Sequence, residues 1–315
     1  MALAIDLINT CLTKTKSRFF PIRIKEWLKL GLIYILSNKG GGSGFSGANV
    51  NVPGSGEFVR RNLGMILGIG GIFFILGLFW RIISLTFSFI FIDGVVSKKN
   101  EIVNGFKNHF RKGFSVFLFT LAVTIINLSL LGLLGLPILL PIIENIGNLS
   151  LNVINIPYAI FFALFVVVNI IFISLLFWVV NNLVIYDMYR KNKLVLESLR
   201  RSFFLIKKNF LEVFLFLLFR FLLGIVAGII SLIVMLVLLI PFALIGIVLA
   251  IPFIAIGFSG TMGLAVALII IGVIVGILLL FLFIYLLNVV LLPVNGFFTF
   301  YNYNFVKKLS EKHKM

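Results

Sequence analysis

Acidic residues, histidines and cysteines are all scarce in these 315 residues. There are ten Asp and Glu, two His and one Cys. With Cys11 alone, no intrachain disulfide can form. His109 and His313 both sit in basic patches, and no H-E-x-x-H or Cys/His cluster occurs, so the donor set for a zinc site is missing. The apolar runs hold too few carboxylates for a general acid/base pair. No Lys-Ser or Lys-Thr follows any glycine cluster, which removes the phosphate-gripping loop of nucleotide-binding proteins. Neither a catalytic centre nor a cofactor is expected. A cleavable leader pattern is also missing from the first 26 residues, so insertion is expected to start from an internal span.

Apolar residues fill the space. They make up 61% of the chain, charged residues only 12%, and the mean hydropathy is +1.21. Soluble domains carry roughly 25% charge, so this chain cannot coat a water-soluble globule and its natural solvent is lipid. Crossing a hydrocarbon core of ~30 Å takes about 20 helical residues. Six segments qualify: Phe19–Leu36, whose clean apolar part starts only at Trp27, then Leu63–Ile92, Phe114–Ile143, Pro157–Tyr186, Phe210 to about Phe258, and Met262–Leu292. Pro241 and Pro252 are expected to kink the fifth segment or mark a partly inserted stretch.

Basic residues outnumber acidic ones 27 to 10, and 22 of the 27 fall in four clusters. These lie before and at the start of the first segment, between the second and third, between the fourth and fifth, and after the sixth. The other connections hold only Lys39, Arg60 and Arg61. Alternation of this kind follows the positive-inside rule and predicts a multi-pass cell-membrane protein with both termini cytoplasmic. It also argues against nucleic acid as the partner. The expected fold is an all-α polytopic bundle of about six transmembrane helices forming one membrane domain over 1–315. Residues 38–57 form a Gly-rich extracytoplasmic loop, and 94–113 and 190–209 are basic, amphipathic cytoplasmic segments.

Two stretches look alike: "FIDGVVSKKNEIVNGFKNHFRKGFSVFLF" (Phe91–Phe119) and "VIYDMYRKNKLVLESLRRSFFLIKKNFLEVFLF" (Val184–Phe216). Each runs from a span end through an Asp and a basic patch to an amphipathic helix and a Phe-rich span start. In the second, Leu194, Leu196, Leu199, Phe203 and Ile206 recur at helical spacing, which suits a helix lying in the membrane interface. The chain ends read as a split third copy, so the first segment should pack beside the sixth.

With "RIKEWLKLGLIYIL", the Gly run that follows it, "ESLRRSFFLIKKNF" and "LLPVNGFFTFYNY", these stretches make the chain similar to a family of archaeal multi-span membrane proteins of unknown function. That family is in turn distantly similar to the membrane domain attached to some glycerophosphodiester phosphodiesterases. The resemblance implies an archaeal cell membrane and a six-helix repeat architecture, and it carries no catalytic residues.

Four residues form a candidate intramembrane polar site. Arg81 lies twelve residues before Asp93, and Arg220 twelve after Lys208, about 18 Å into the membrane at ~1.5 Å per residue. An intramembrane Arg must snorkel, pair or line a wet cavity; Asp93 and Asp187, at matching repeat positions, are candidate partners for nearby Lys or Arg. Candidate contacts for anionic lipid headgroups are Lys98, Lys99, Arg111, Lys112, Arg200, Arg201, Lys207 and Lys208. Gly64/Gly68, Gly224/Gly228 and Gly272/Gly276 have the spacing of close helix packing, and Asn127, Asn169, Asn181, Asn182 and Asn288 are expected to bond between helices. Two functions fit: a non-enzymatic protein organising lipid, protein partners or copies of itself, and a transporter or channel for a small, amphiphilic or anionic solute.

Overall fold

The computed structural model describes residues 3–37, 62–144, 156–257 and 262–312. Most of the Gly run, with Lys39, Arg60, Arg61 and His313, lies outside them. Among the described residues the regular structure is helical, as lipid requires: with no water to satisfy backbone groups, each apolar run must bond within itself. The helices are α1 (Leu3–Phe19), α2 (Ile24–Leu36), α3 (Leu63–Val96), α4 (Ile102–Glu144), α5 (Ile156–Val179), α6 (Ile185–Lys191), α7 (Val195–Lys208), α8 (Phe210–Gly257), α9 (Met262–Val290) and α10 (Leu292–Glu311). A π-helical segment, Val180–Val184, joins α5 to α6.

Five stretches among the described residues are long and apolar enough to cross a membrane: Leu67–Val96, Ile102–Ile138, Ile156–Lys191, Phe210–Leu249 and Ile270–Val290. The expected first span behaves differently. Pro21 has no backbone N–H to continue a helix, and Phe19–Leu36 divides into the end of α1 and the 13-residue α2. At ~1.5 Å per residue α2 is about 20 Å long. It runs antiparallel to α3: Tyr34 meets Phe91 at 4.9 Å, and the Ser88 hydroxyl donates to the Ser37 carbonyl at 3.3 Å. From Ser88 to Leu63 is another 25 residues of α3, roughly 38 Å at that rise. Among the described residues the first segment therefore covers only part of its neighbour's length. Pro241 causes no division, because α8 runs unbroken for 48 residues.

Two compact units make up the chain, Met1–Phe110 with Asn209–Phe305, and Arg111–Lys208 with Val306–Met315. In the larger unit the core lies where α1, α2, the end of α3, the first turns of α8, the end of α9 and α10 meet. Phe216 stacks on Phe305 at 3.9 Å and on Tyr301 at 5.0 Å, all three fully buried. Gly31 lies against Val289 and Gly296 against the Phe19 ring, with no room for a Cβ. These contacts bring α1 and α2 against the end of α9 and α10.

Away from this core, α8 and α9 pack on each other, with Phe242 edge-on to Phe283 at 5.2 Å, and leave most of their apolar surface exposed. The expected glycine seams are not used: Gly64, Gly68, Gly224, Gly228 and Gly276 have nothing near an added Cβ among the described residues. In the smaller unit α4 and α5 are joined by Asn127 Nδ2 donating to Asn169 Oδ1 at 2.7 Å, and by Tyr158 Oη donating to the Leu134 carbonyl at 2.7 Å. Asn182 and Asn288 each donate to a carbonyl of the preceding turn, Trp178 and Ile284. At Asn182 the π-helical turn disturbs the i→i−4 ladder, and the amide occupies the Trp178 carbonyl. Asn181 is exposed.

Candidate functional site

Polar side chains gather at the helix ends that carry the basic connections. Arg81 is not among them. It is exposed on α3, with no ion pair or hydrogen bond to a described residue, as expected of a side chain left to snorkel. Arg220, on α8, is half-buried. Its guanidinium donates to Asn302 Oδ1 and lies 5.3 Å from the Phe298 ring centre. Arg81 and Arg220 thus have separate surroundings within one unit, α3 surface for the first and α10 for the second. Beside Asn302, burial pushes the Tyr301 hydroxyl up to about 12, so it stays protonated and donates to the Ala4 carbonyl at 3.3 Å.

Asp93 sits at the end of α3, within 3.5 Å of His109 Nε2 on α4. Asp187 sits at the corresponding place in α6 and is buried to 1% exposure. Its carboxylate faces Arg201 Nε at 3.9 Å, and neither oxygen accepts a hydrogen bond. Arg201 donates to Ser310 Oγ at 2.5 Å. Arg190 donates to the same hydroxyl at 3.2 Å and to the Lys307 carbonyl at 3.0 Å. Each aspartate thus meets a basic residue on the following helix, His109 for Asp93 and Arg201 for Asp187.

Of the eight candidate headgroup contacts, Lys98, Lys99, Arg111, Arg200, Lys207 and Lys208 are exposed. Two are turned inward. Lys112 is buried with its Nζ 5.9 Å from the Tyr189 ring centre, and Arg201 is engaged as described. On α7 the row that the spacing marks, Leu196, Leu199, Phe203 and Ile206, is exposed or half-buried. The buried row is Val195, Ser198, Ser202 and Leu205, while Leu194, Leu196, Phe203 and Phe204 are exposed beside Arg200, Lys207 and Lys208. The start of α4 follows the same plan. Gly105 is packed against Ile90, and His109 is buried, while Val103 and Phe110 are exposed next to Lys107 and Arg111.

Arg18 gave no signal in the sequence beyond belonging to a basic cluster. It is nearly buried, with Nε and Nη2 donating to the Gly94 carbonyl at 3.1 and 2.9 Å, and Nη1 donating to Glu26 at 2.8 Å. The Arg18 hydrogen bond, then the Arg23 one, holds the Glu26 carboxyl below the usual carboxylate range. A residue from α1 that caps α3 could be found only once both elements were placed. Lys14 Nζ donates to Asn304 Oδ1 at 2.9 Å. Among the described residues, no group of three His, Cys, Asp or Glu is placed to hold a metal ion.

The chain belongs to a family of unknown function (DUF7544), whose pattern matches residues 2–315. No curated protein and no solved structure matches it.

Proposed function

We propose that this is a non-enzymatic multi-pass protein of the cell membrane that gathers anionic lipid, and through it protein partners or further copies, at its cytoplasmic face. The observation that carries this is the outward surface of α7, together with the similar start of α4. Exposed Leu196, Phe203 and Phe204 on α7 lie beside exposed Arg200, Lys207 and Lys208 on a helix too short to cross a membrane. Apolar and cationic side chains sharing one exposed helix surface suit the headgroup boundary, with the apolar ones in acyl chain and the cations at phosphate. Each such Lys or Arg contributes roughly 1 kcal/mol toward an anionic leaflet.

The orientation with both termini cytoplasmic, the internal repeat, the archaeal origin and the distant likeness to phosphodiesterase membrane domains belong to the same proposal. The repeat is supported by the matching aspartates and by the meeting of the chain ends. Transport of an anionic solute has less support, because Arg81 and Arg220 have separate surroundings. The test is extraction of the protein in native-lipid discs. Anionic lipid should be enriched over the bulk membrane, and Lys207→Gln with Lys208→Gln should reduce that enrichment. Discs with bulk composition would sink the proposal, and reporters placing the two termini on opposite sides would sink the orientation.

A further inference from the structure

A cleft of about 210 Å³ opens in the larger unit between α1, the end of α3 and α10. Lys14, Ser17, Arg18 and Lys98 supply three cations and a hydroxyl, Tyr303 a phenol, and Val95, Val96 and Phe300 an apolar wall. Among the described residues, no carboxylate lines it. Pockets for drug-sized ligands run to ~300–1,000 Å³, so this one suits a smaller group.

The end of α3 should repel an anion, because the last carbonyls of a helix carry partial negative charge. Here Arg18 cancels that effect through its two bonds to the Gly94 carbonyl. One Arg18 nitrogen is committed to Glu26, so the mobile positive charge comes from the two lysines. Lys14 is positioned by Asn304 and keeps two ammonium protons to donate. Lys98 has no hydrogen-bond or ion-pair partner among the described residues and stands on a left-handed backbone, φ 60°.

We infer that this cleft receives one phosphate group, as a monoester or diester, between Lys14 and Lys98, with its carbon substituent against Val95, Val96 and Phe300. The inference deepens the proposed function and rests on it: the basic face would hold one built site in addition to a diffuse surface.

The source of the phosphate is distinguished by two probes, a short-chain phosphatidylglycerol and inorganic phosphate, with a short-chain diacylglycerol, which has no phosphate, as the control. Binding is read as a shift in thermal unfolding, followed by a thiol dye on the buried lone Cys11. Wild type should be stabilised by at least one phosphate probe. The double variant K14Q/K98N should need about ten-fold or more of that probe for the same shift, whereas K207Q/K208Q, with the same charge change, should stay within about three-fold. Lys98→Asn alone breaks no hydrogen bond or ion pair among the described residues and suits the left-handed backbone, so it serves as the folded variant for the comparison, with part of the same loss expected. Response to phosphatidylglycerol only assigns a lipid headgroup, and response to inorganic phosphate as well assigns free phosphate chemistry. A wild type stabilised by neither, or a K14Q/K98N variant that matches wild type, overturns the cleft; disc lipid composition separately decides the surface proposal.

Discussion

At Asp93 and at Asp187 a long apolar helix ends five residues later on a left-handed non-glycine residue, Lys98 (φ 60°) in one case and Asn192 (φ 56°) in the other. In both, the aspartate reaches a basic side chain on the next helix, His109 sixteen residues on and Arg201 fourteen. The two junctions share this plan and differ in its electrostatics. The Asp93 carboxylate is about one-fifth exposed, and its partner can shed its charge. Asp187 is sealed, lacks a hydrogen bond to either oxygen, and faces a guanidinium that cannot be deprotonated. The same arrangement is therefore a modest contact in the first junction and a costly, committed pair in the second.

The largest expected effect follows from that difference. Arg201→Met removes the guanidinium that faces the buried carboxylate and should cost about 3–5 kcal/mol. Asp187→Leu should cost less than that, and the double variant should recover much of the loss, because a buried pair replaced by apolar groups is often neutral. Asp93→Leu should cost only about 1 kcal/mol or less, as partly exposed pairs do. Thiol-dye melts on Cys11 measure all four in one detergent. Equal losses from Asp93→Leu and Asp187→Leu would erase the distinction between the junctions.

The next effect is at Arg18, which serves the first junction as Arg190 serves the end of α10. Each is a guanidinium from one helix placed on a backbone carbonyl near the end of another. Arg18→Leu should cost about 2–3 kcal/mol, the range for charged hydrogen bonds. The Glu26 pair adds a pH signature. Its carboxyl is lowered in the folded state, so its contribution is present above the ordinary carboxylate range and is lost as pH falls through the lowered folded value. Wild type should therefore lose stability relative to Glu26→Gln on acidification, and parallel melting curves across that range would remove the pair from the account.

The junctions also show how far the sequence could be followed. The five long apolar helices, the aspartates and the basic connections were legible because length, hydropathy and charge are local properties. The fate of Phe19–Leu36 was not, because a few charged residues and Pro21 could be read as the ragged start of a span. The inward row of α7 was not legible for a different reason. Periodicity marks Leu196, Leu199, Phe203 and Ile206 as one row, and in water that row would be buried. In a bilayer the apolar solvent lies outside, so the inward row can be serines, which allow close helix approach, and Ser198 and Ser202 are buried on that side. The same reversal explains glycines with open space beside them and Arg201 turned inward.

The smallest expected effect tests the turns themselves. A left-handed conformation costs an ordinary L-residue roughly 1–2 kcal/mol, and Asn, like Gly, tolerates it better. Lys98 bears that strain where the second junction uses Asn192. Lys98→Asn should therefore raise stability by roughly 0.5–1 kcal/mol, and Asn192→Lys should lower it by a similar amount. The exchange of both should leave the total nearly unchanged if the turns are equivalent. A gain at 98 without a matching loss at 192 would show that α6 and α7 are held by the Asp187–Arg201 pair and their packing, with the turn residue following. Melting of the two single variants and the double exchange separates these outcomes, because independent turn terms add and coupled ones do not.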